Sequence, residues 1–102
     1  MDKLTKELNT ALVEMGLNPH GIEHEKVHRM EHLLDLLSPD DSLAVEQYYG
    51  LFATPRLSLH ELASAHGLSD EDMMAAIDTC VRRIAVSPEW QMMKKEFIWH
   101  HD

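Results

Sequence analysis

Four histidines, His20, His24, His28 and His32, recur at intervals of four, and His24-Glu25-Lys26-Val27-His28 spells the H-E-x-x-H pattern of zinc peptidases. On a helix, residues four apart share a face one turn apart, so neighbouring imidazoles could share a transition metal, with Glu25 as a general base. A peptidase of that kind also needs a third ligand and a substrate cleft, and no later residue offers a recognisable ligand. The ladder falls on the polar side of its helix with Glu31 and Asp35, opposite Val27, Met30, Leu34 and Leu37. The simplest reading is a solvated face, since imidazole ordinarily titrates near pH ~6.5. His24, His28 and His32 are the candidate ligands if the ladder takes up an adventitious transition metal. Cys80 is the sole cysteine. It falls on an apolar stripe, where a thiol is inert, and it has no partner for a disulfide. No other nucleophile or carboxylate pair has catalytic spacing, so neither an enzyme nor a resident cofactor is expected.

The elements that must position these residues all have helical spacing. Leu4, Leu8, Ala11, Leu12 and Met15 form one stripe, which is expected to stop at Gly16 before the turn Asn18-Pro19-His20-Gly21. Val27, Met30, Leu33, Leu34 and Leu37 mark a second helix. Ser38-Pro39-Asp40-Asp41 is a helix start, with a capping serine, proline at the first helical position and acids in the first turn. The third helix carries Leu43, Val45, Tyr48 and Tyr49 and is expected to end in a left-handed cap at Gly50. Ser58-Leu59-His60-Glu61 is a capping box that opens a short helix through Ala65, closed by Gly67. Ser69-Asp70-Glu71-Asp72 opens the next, with Met73, Ile77, Cys80, Val81 and Ile84 as its buried positions. Ser87-Pro88-Glu89 opens a last helix with Trp90, Met93 and Phe97 aligned. The fold expected is therefore all-α.

The chain has 102 residues, enough for one compact domain or a small domain with an accessory helical piece. No run approaches the ~20 apolar residues of a membrane span, and Met1 to Lys6 lack the apolar core of a signal peptide. A cytoplasmic protein without membrane contact is expected. Nine Lys and Arg stand against eighteen Asp and Glu, a formal net charge of −9. Proteins that bind nucleic acid draw most of their affinity from cations on phosphate, and this chain's long-range field has the opposite sign.

Leu62, Ala63, Gly67, Leu68 and Met73 have the spacing of a helix-turn-helix, with Ala63 small where the second helix crosses, Gly67 in the turn, and Leu68 and Met73 plugging the angle. The wider pattern runs Leu37-Ser38-Pro39, then Val45 to Leu51 (V-E-Q-Y-Y-G-L), then Leu57 to Ala63 (L-S-L-H-E-L-A), then Gly67-Leu68-Ser69. It resembles the fourth conserved region of housekeeping bacterial sigma factors, their promoter-reading helix-turn-helix. Val81-Arg82-Arg83-Ile84 is similar to that family's recognition-helix end, and Ser87-Pro88 to its terminal proline and short helix. The resemblance spans about 60 residues, a length typical of a small domain. It implies a helix-turn-helix domain of about four helices over residues 38–102, preceded by one or two helices in residues 1–37, either an extension or a means of dimerising.

The resemblance also implies partners: promoter DNA, the flap of the RNA polymerase β subunit, and proteins that touch sigma factors. Where the family has Arg, Glu and Gln at the start of the recognition helix, this sequence has Asp70, Glu71, Asp72, Met74 and Ala75. Three carboxylates repel a phosphate at the helix terminus that would otherwise accept it, and Met74 and Ala75 cannot make bidentate base contacts. Between Ser58 and Ile84 there are five acids and two bases, Arg82 and Arg83, both at the far end. The expected function is contact with polymerase or a sigma factor, with Asp70, Glu71, Met74, Ala75, Asp78 and Trp99 as the candidate contact residues. The alternative is a DNA-binding regulator, a homodimer through its N-terminal helices, in which Arg56, Arg82, Arg83, Lys94 and Lys95 gather into a basic patch. A third reading is a metal- or pH-responsive module built on the histidines.

Overall fold

A computed structural model describes residues 2–18, 21 and 23–96. Among them every regular element is helical: α1 (Lys3–Leu17), α2 (His24–Leu34), α3 (Pro39–Tyr49), α4 (Leu59–His66), α5 (Asp70–Ala85) and α6 (Pro88–Met93), with a 3₁₀ turn at Lys94–Glu96. The fold is all-α, with α1 and α2 preceding the α3–α6 segment.

Most helices begin where the sequence places a cap. Ser38, Ser69 and Ser87 each accept from the backbone N–H three residues on, at 3.3, 3.0 and 3.2 Å. The capping box is complete: Ser58 Oγ accepts from Glu61 N–H at 3.1 Å, and Glu61 Oε1 accepts from Ser58 N–H at 3.0 Å. Asp2 caps α1 by accepting from Thr5 N–H at 2.8 Å. Only α2 begins without a side-chain cap bond among the described helices, at Glu23. Gly50 and Gly67 are left-handed, with φ of 71° and 69°, and supply the conformation that a residue with a Cβ adopts at a cost.

The core is organised around α5, which packs against α1, α3, α4 and α6. Leu8 and Leu12 from α1, Val45 from α3, Leu62 from α4, Ile77, Val81 and Ile84 from α5 and Trp90 from α6 are all fully buried. Met30, Leu33 and Leu34 of α2 join the same cluster. Within residues 1–37, α1 packs against α3 and α5. Its apolar stripe faces α3 and α5 inside the chain, while Val13 and Leu17 stay exposed.

Three sequence expectations need correction. Gly16 does not end the first helix, which continues to Leu17; its lack of a side chain lets the Tyr49 carbonyl at the end of α3 approach α1, where a Cβ would collide with the oxygen. Leu68 does not plug the angle between α4 and α5. It is 42% exposed, and its backbone N–H closes the α4 cap on Ala63 O at 2.9 Å. On α3 the buried positions are Ala44, Val45 and Tyr49, while Leu43 is 46% exposed. The heptad offset between Leu8 and Met15 is legible in sequence, but one residue's rotation at the start of α3 depends on its neighbours.

Candidate functional site

The surface that sequence resemblance singles out is the outer face of α5. Glu71, Ala75, Asp78 and Arg82 fall at i, i+4, i+7 and i+11, and all are exposed. Asp72, Thr79 and Arg83 form the neighbouring exposed row. The turn Gly67-Leu68-Ser69 fixes where this helix starts. Ser69 then commits its side chain to Asp72 N–H, so the first turn presents Asp70, Glu71 and Asp72 together. Carboxylates at this end interact favourably with the helix dipole, which explains their position without reference to any ligand. They also put negative charge where a helix-turn-helix protein would bring a phosphate.

Asp70 is held from α4: His60 Nδ1 lies 3.0 Å from Asp70 Oδ1. Both side chains are more than half exposed, so the pair orients the two helix starts and adds little stability. Sequence spacing gave no sign of this contact, since it bridges ten residues across the turn.

Met74 is committed in part to the core. It is half-buried, packs on the core, and its sulfur accepts a weak hydrogen bond from the Tyr48 hydroxyl at 3.6 Å. Tyr48 in turn stands edge-on to Tyr49, with ring centroids 4.9 Å apart. The candidate contact residues Asp70, Glu71, Ala75 and Asp78 are exposed, and Met74 stands beside them half-buried. Trp99 lies outside the described residues, as do His20 and Phe97.

The five bases of the DNA-binding alternative are partly spent inside the chain. Arg82 Nε lies 3.7 Å from Asp2 Oδ2, and Lys94 Nζ lies 3.3 Å from Glu7 Oε1, so α1 carboxylates offset two of them. Arg56 sits in the α3–α4 loop with its Cβ against Gly50. Arg83 and Lys95 are exposed.

The histidines separate into a pair and an outlier. His28 and His32 bring their Nε2 atoms to 3.2 Å of each other. Among the described residues no three His, Cys, Asp or Glu side chains form a metal-ligand group, so His24, His28 and His32 are not a three-ligand site. The physical reason is the helix rise: residues eight apart are separated by ~12 Å along the axis, too far for one ion. Glu25, the would-be general base, instead accepts from Arg29 at 2.8 Å.

Cys80 is buried, and its thiol is pushed above the usual range by burial first and by the Asp41 carboxylate second, against a small opposite effect of Arg83. That is the environment of an inert thiol. A cleft of about 220 Å³ between α2 and α6 is lined by Arg29, His32, Leu33, Glu89 and Met93. It is smaller than the ~300 Å³ at which small-molecule sites begin. No helix among the described residues is long and apolar enough to cross a membrane. No protein-family model, curated protein or solved structure matches this chain.

Proposed function

We propose that this chain is a transcription regulator that contacts RNA polymerase, at the β flap, or a sigma factor, through its sigma-like helix-turn-helix, without strong DNA binding of its own. The observation that carries the reading is the contrast within α4–α5. The capping box, the left-handed Gly67 and the buried Leu62, Ala63, Met73 and Ile77 keep the frame, while Asp70, Glu71, Asp72 and Asp78 occupy the exposed start of the second helix. Phosphate contacts supply most of the affinity of a DNA reader, and here the helix terminus repels them. The largely buried Lys94–Glu7 ion pair takes one base out of a DNA-facing patch and so adds support for a protein partner. A partner suited to this face has a basic surface, since complementary charge sets orientation and encounter rate. The reading implies a cytoplasmic protein, where polymerase works.

The experiment is a direct comparison of partners. Purified polymerase core and a purified sigma factor are each titrated with the labelled chain, and promoter DNA is titrated in parallel at low and high salt. Saturable binding to polymerase or sigma, with no DNA shift even at low salt, is the expected result. A salt-sensitive DNA shift with no protein binding would replace this reading with the DNA-binding regulator.

A further inference from the structure

Glu25 is engaged by Arg29, and within the ladder His28 and His32 hydrogen-bond to each other through their Nε2 atoms, one nitrogen donating and the other accepting. We propose that His28 and His32 form a two-imidazole chelate for a divalent transition-metal ion, Cu²⁺ ahead of Ni²⁺ or Zn²⁺, on the exposed face of α2. The two Nε2 atoms face each other at 3.2 Å. An ion at the usual metal–imidazole distance of ~2.0–2.1 Å from each would subtend an angle of roughly 100° between them, close to that of tetrahedral ligands. To accept it, the ring that donates in the hydrogen bond carries its proton on Nδ1 instead, so that both Nε2 atoms offer lone pairs. The rings stand nearly perpendicular, with centroids 4.6 Å apart.

The Asp35 carboxylate lies 3.9 Å from the other nitrogen of His32, Nδ1. At that separation, with both side chains mostly exposed, Asp35 is an electrostatic neighbour of the pair and makes no hydrogen bond to it. Solvent fills the remaining positions of the ion, because no third His, Cys, Asp or Glu side chain completes a ligand group among the described residues. Imidazole donors with open water positions suit Cu²⁺, Ni²⁺ and Zn²⁺, and the general affinity order puts Cu²⁺ first. The site is thus open and exchangeable. It would clip together two turns of α2, the helix that begins without a side-chain cap, and would do so beside the α2–α6 cleft that His32 lines.

The test is calorimetric titration of the full chain with Cu²⁺ and, separately, Zn²⁺ in a buffer that does not chelate them. It is repeated on His24→Ala, His28→Ala, His32→Ala and the double variant His100→Ala/His101→Ala, with helical content checked by circular dichroism. Loss of either ligand of the pair should weaken binding by at least the roughly tenfold that loss of an outer-shell partner produces. His24→Ala should change it by less than about twofold, since it removes no ligand. A bound metal should also raise the Tm of the parent chain and leave that of His28→Ala/His32→Ala unchanged. Binding that persists in His28→Ala/His32→Ala, or that disappears only in His100→Ala/His101→Ala, overturns the proposal.

Discussion

The Tyr49 hydroxyl donates to Asn9 Oδ1 at 2.6 Å, tying the end of α3 to the middle of α1 across 40 residues of sequence. Tyr49 is 6% exposed, so this bond is made where neither partner is easily replaced by water. Tyr49→Phe should cost about 1 kcal/mol, and a double-mutant cycle with Asn9→Ala should show coupling of similar size in urea unfolding. Burial, with a smaller contribution from the nearby Tyr48 and Asp78, pushes the phenol pKa far above its ordinary value of 10.0. The folded state therefore keeps a proton that the unfolded chain gives up. Tyr49's contribution to stability is fully present below pH 10 and is lost as pH rises beyond it. Alkaline unfolding followed by circular dichroism should be flatter in Tyr49→Phe than in the parent.

The same residue's carbonyl sets a second requirement on α1. A Cβ at Gly16 would meet the Tyr49 carbonyl oxygen, and backbone cannot rotate aside as a flexible side chain can. Alanine gains ~1 kcal/mol of helix propensity over glycine, but the overlap forces α1 and α3 apart. Gly16→Ala should therefore destabilise the fold by roughly 1–3 kcal/mol net in chemical denaturation. A gain in stability would mean that α1 and α3 are not in contact there.

Phe52 and Ala53 adopt consecutive left-handed conformations, with φ of 54° and 62°, in a turn closed by Thr54 N–H to Leu51 O at 2.9 Å. Such a pair belongs to a type I′ turn, which glycine and asparagine fill without strain. Ala53 is exposed and packs on nothing in the core. Ala53→Gly should stabilise the protein by roughly 0.5–1 kcal/mol, read as a raised midpoint in urea.

The start of α4 gives a prediction of the opposite pH sign. Ser58→Ala removes half of the capping box and should cost about 1 kcal/mol. The backbone N–H of Ser58, then its side chain, hold the Glu61 carboxyl below its ordinary 4.5. A lowered carboxylate contributes stability above pH 4.5 that is lost as pH falls through its folded-state value. Glu61→Gln should therefore show a shallower loss of stability than the parent between neutral and acid pH.

What sequence could disclose was local. Ser38, Ser58, Ser69 and Ser87 announce helix starts because a cap is a three-residue interaction, and Gly50 and Gly67 announce ends because a left-handed residue is a single-residue requirement. The stripes of α1 and α5 are legible because burial follows the helical period. The contacts that decide the candidate face are not local. His60 reaches Asp70 over the turn, Tyr48 reaches Met74 over 26 residues, and Asp2 and Glu7 reach Arg82 and Lys94 from the other end of the chain. No spacing rule encodes those meetings, because they depend on how α1 docks on α5. For that reason Met74 reads as a contact residue in sequence and turns out half-committed to α3, while Gly16 reads as a stop and turns out to be a crossing point.

The acidic start of α5 is the centre of the functional account, and charge reversal on it is the most direct test. Glu71→Lys/Asp78→Lys alters two exposed side chains and leaves the capping residues and core intact. Binding of the purified chain to polymerase core and to a sigma factor should be saturable for one of them, and the double variant should weaken it about tenfold or more, mainly through slower association. Unchanged protein binding in the variant, or promoter-DNA binding by the parent chain that weakens steeply with salt, would contradict the account.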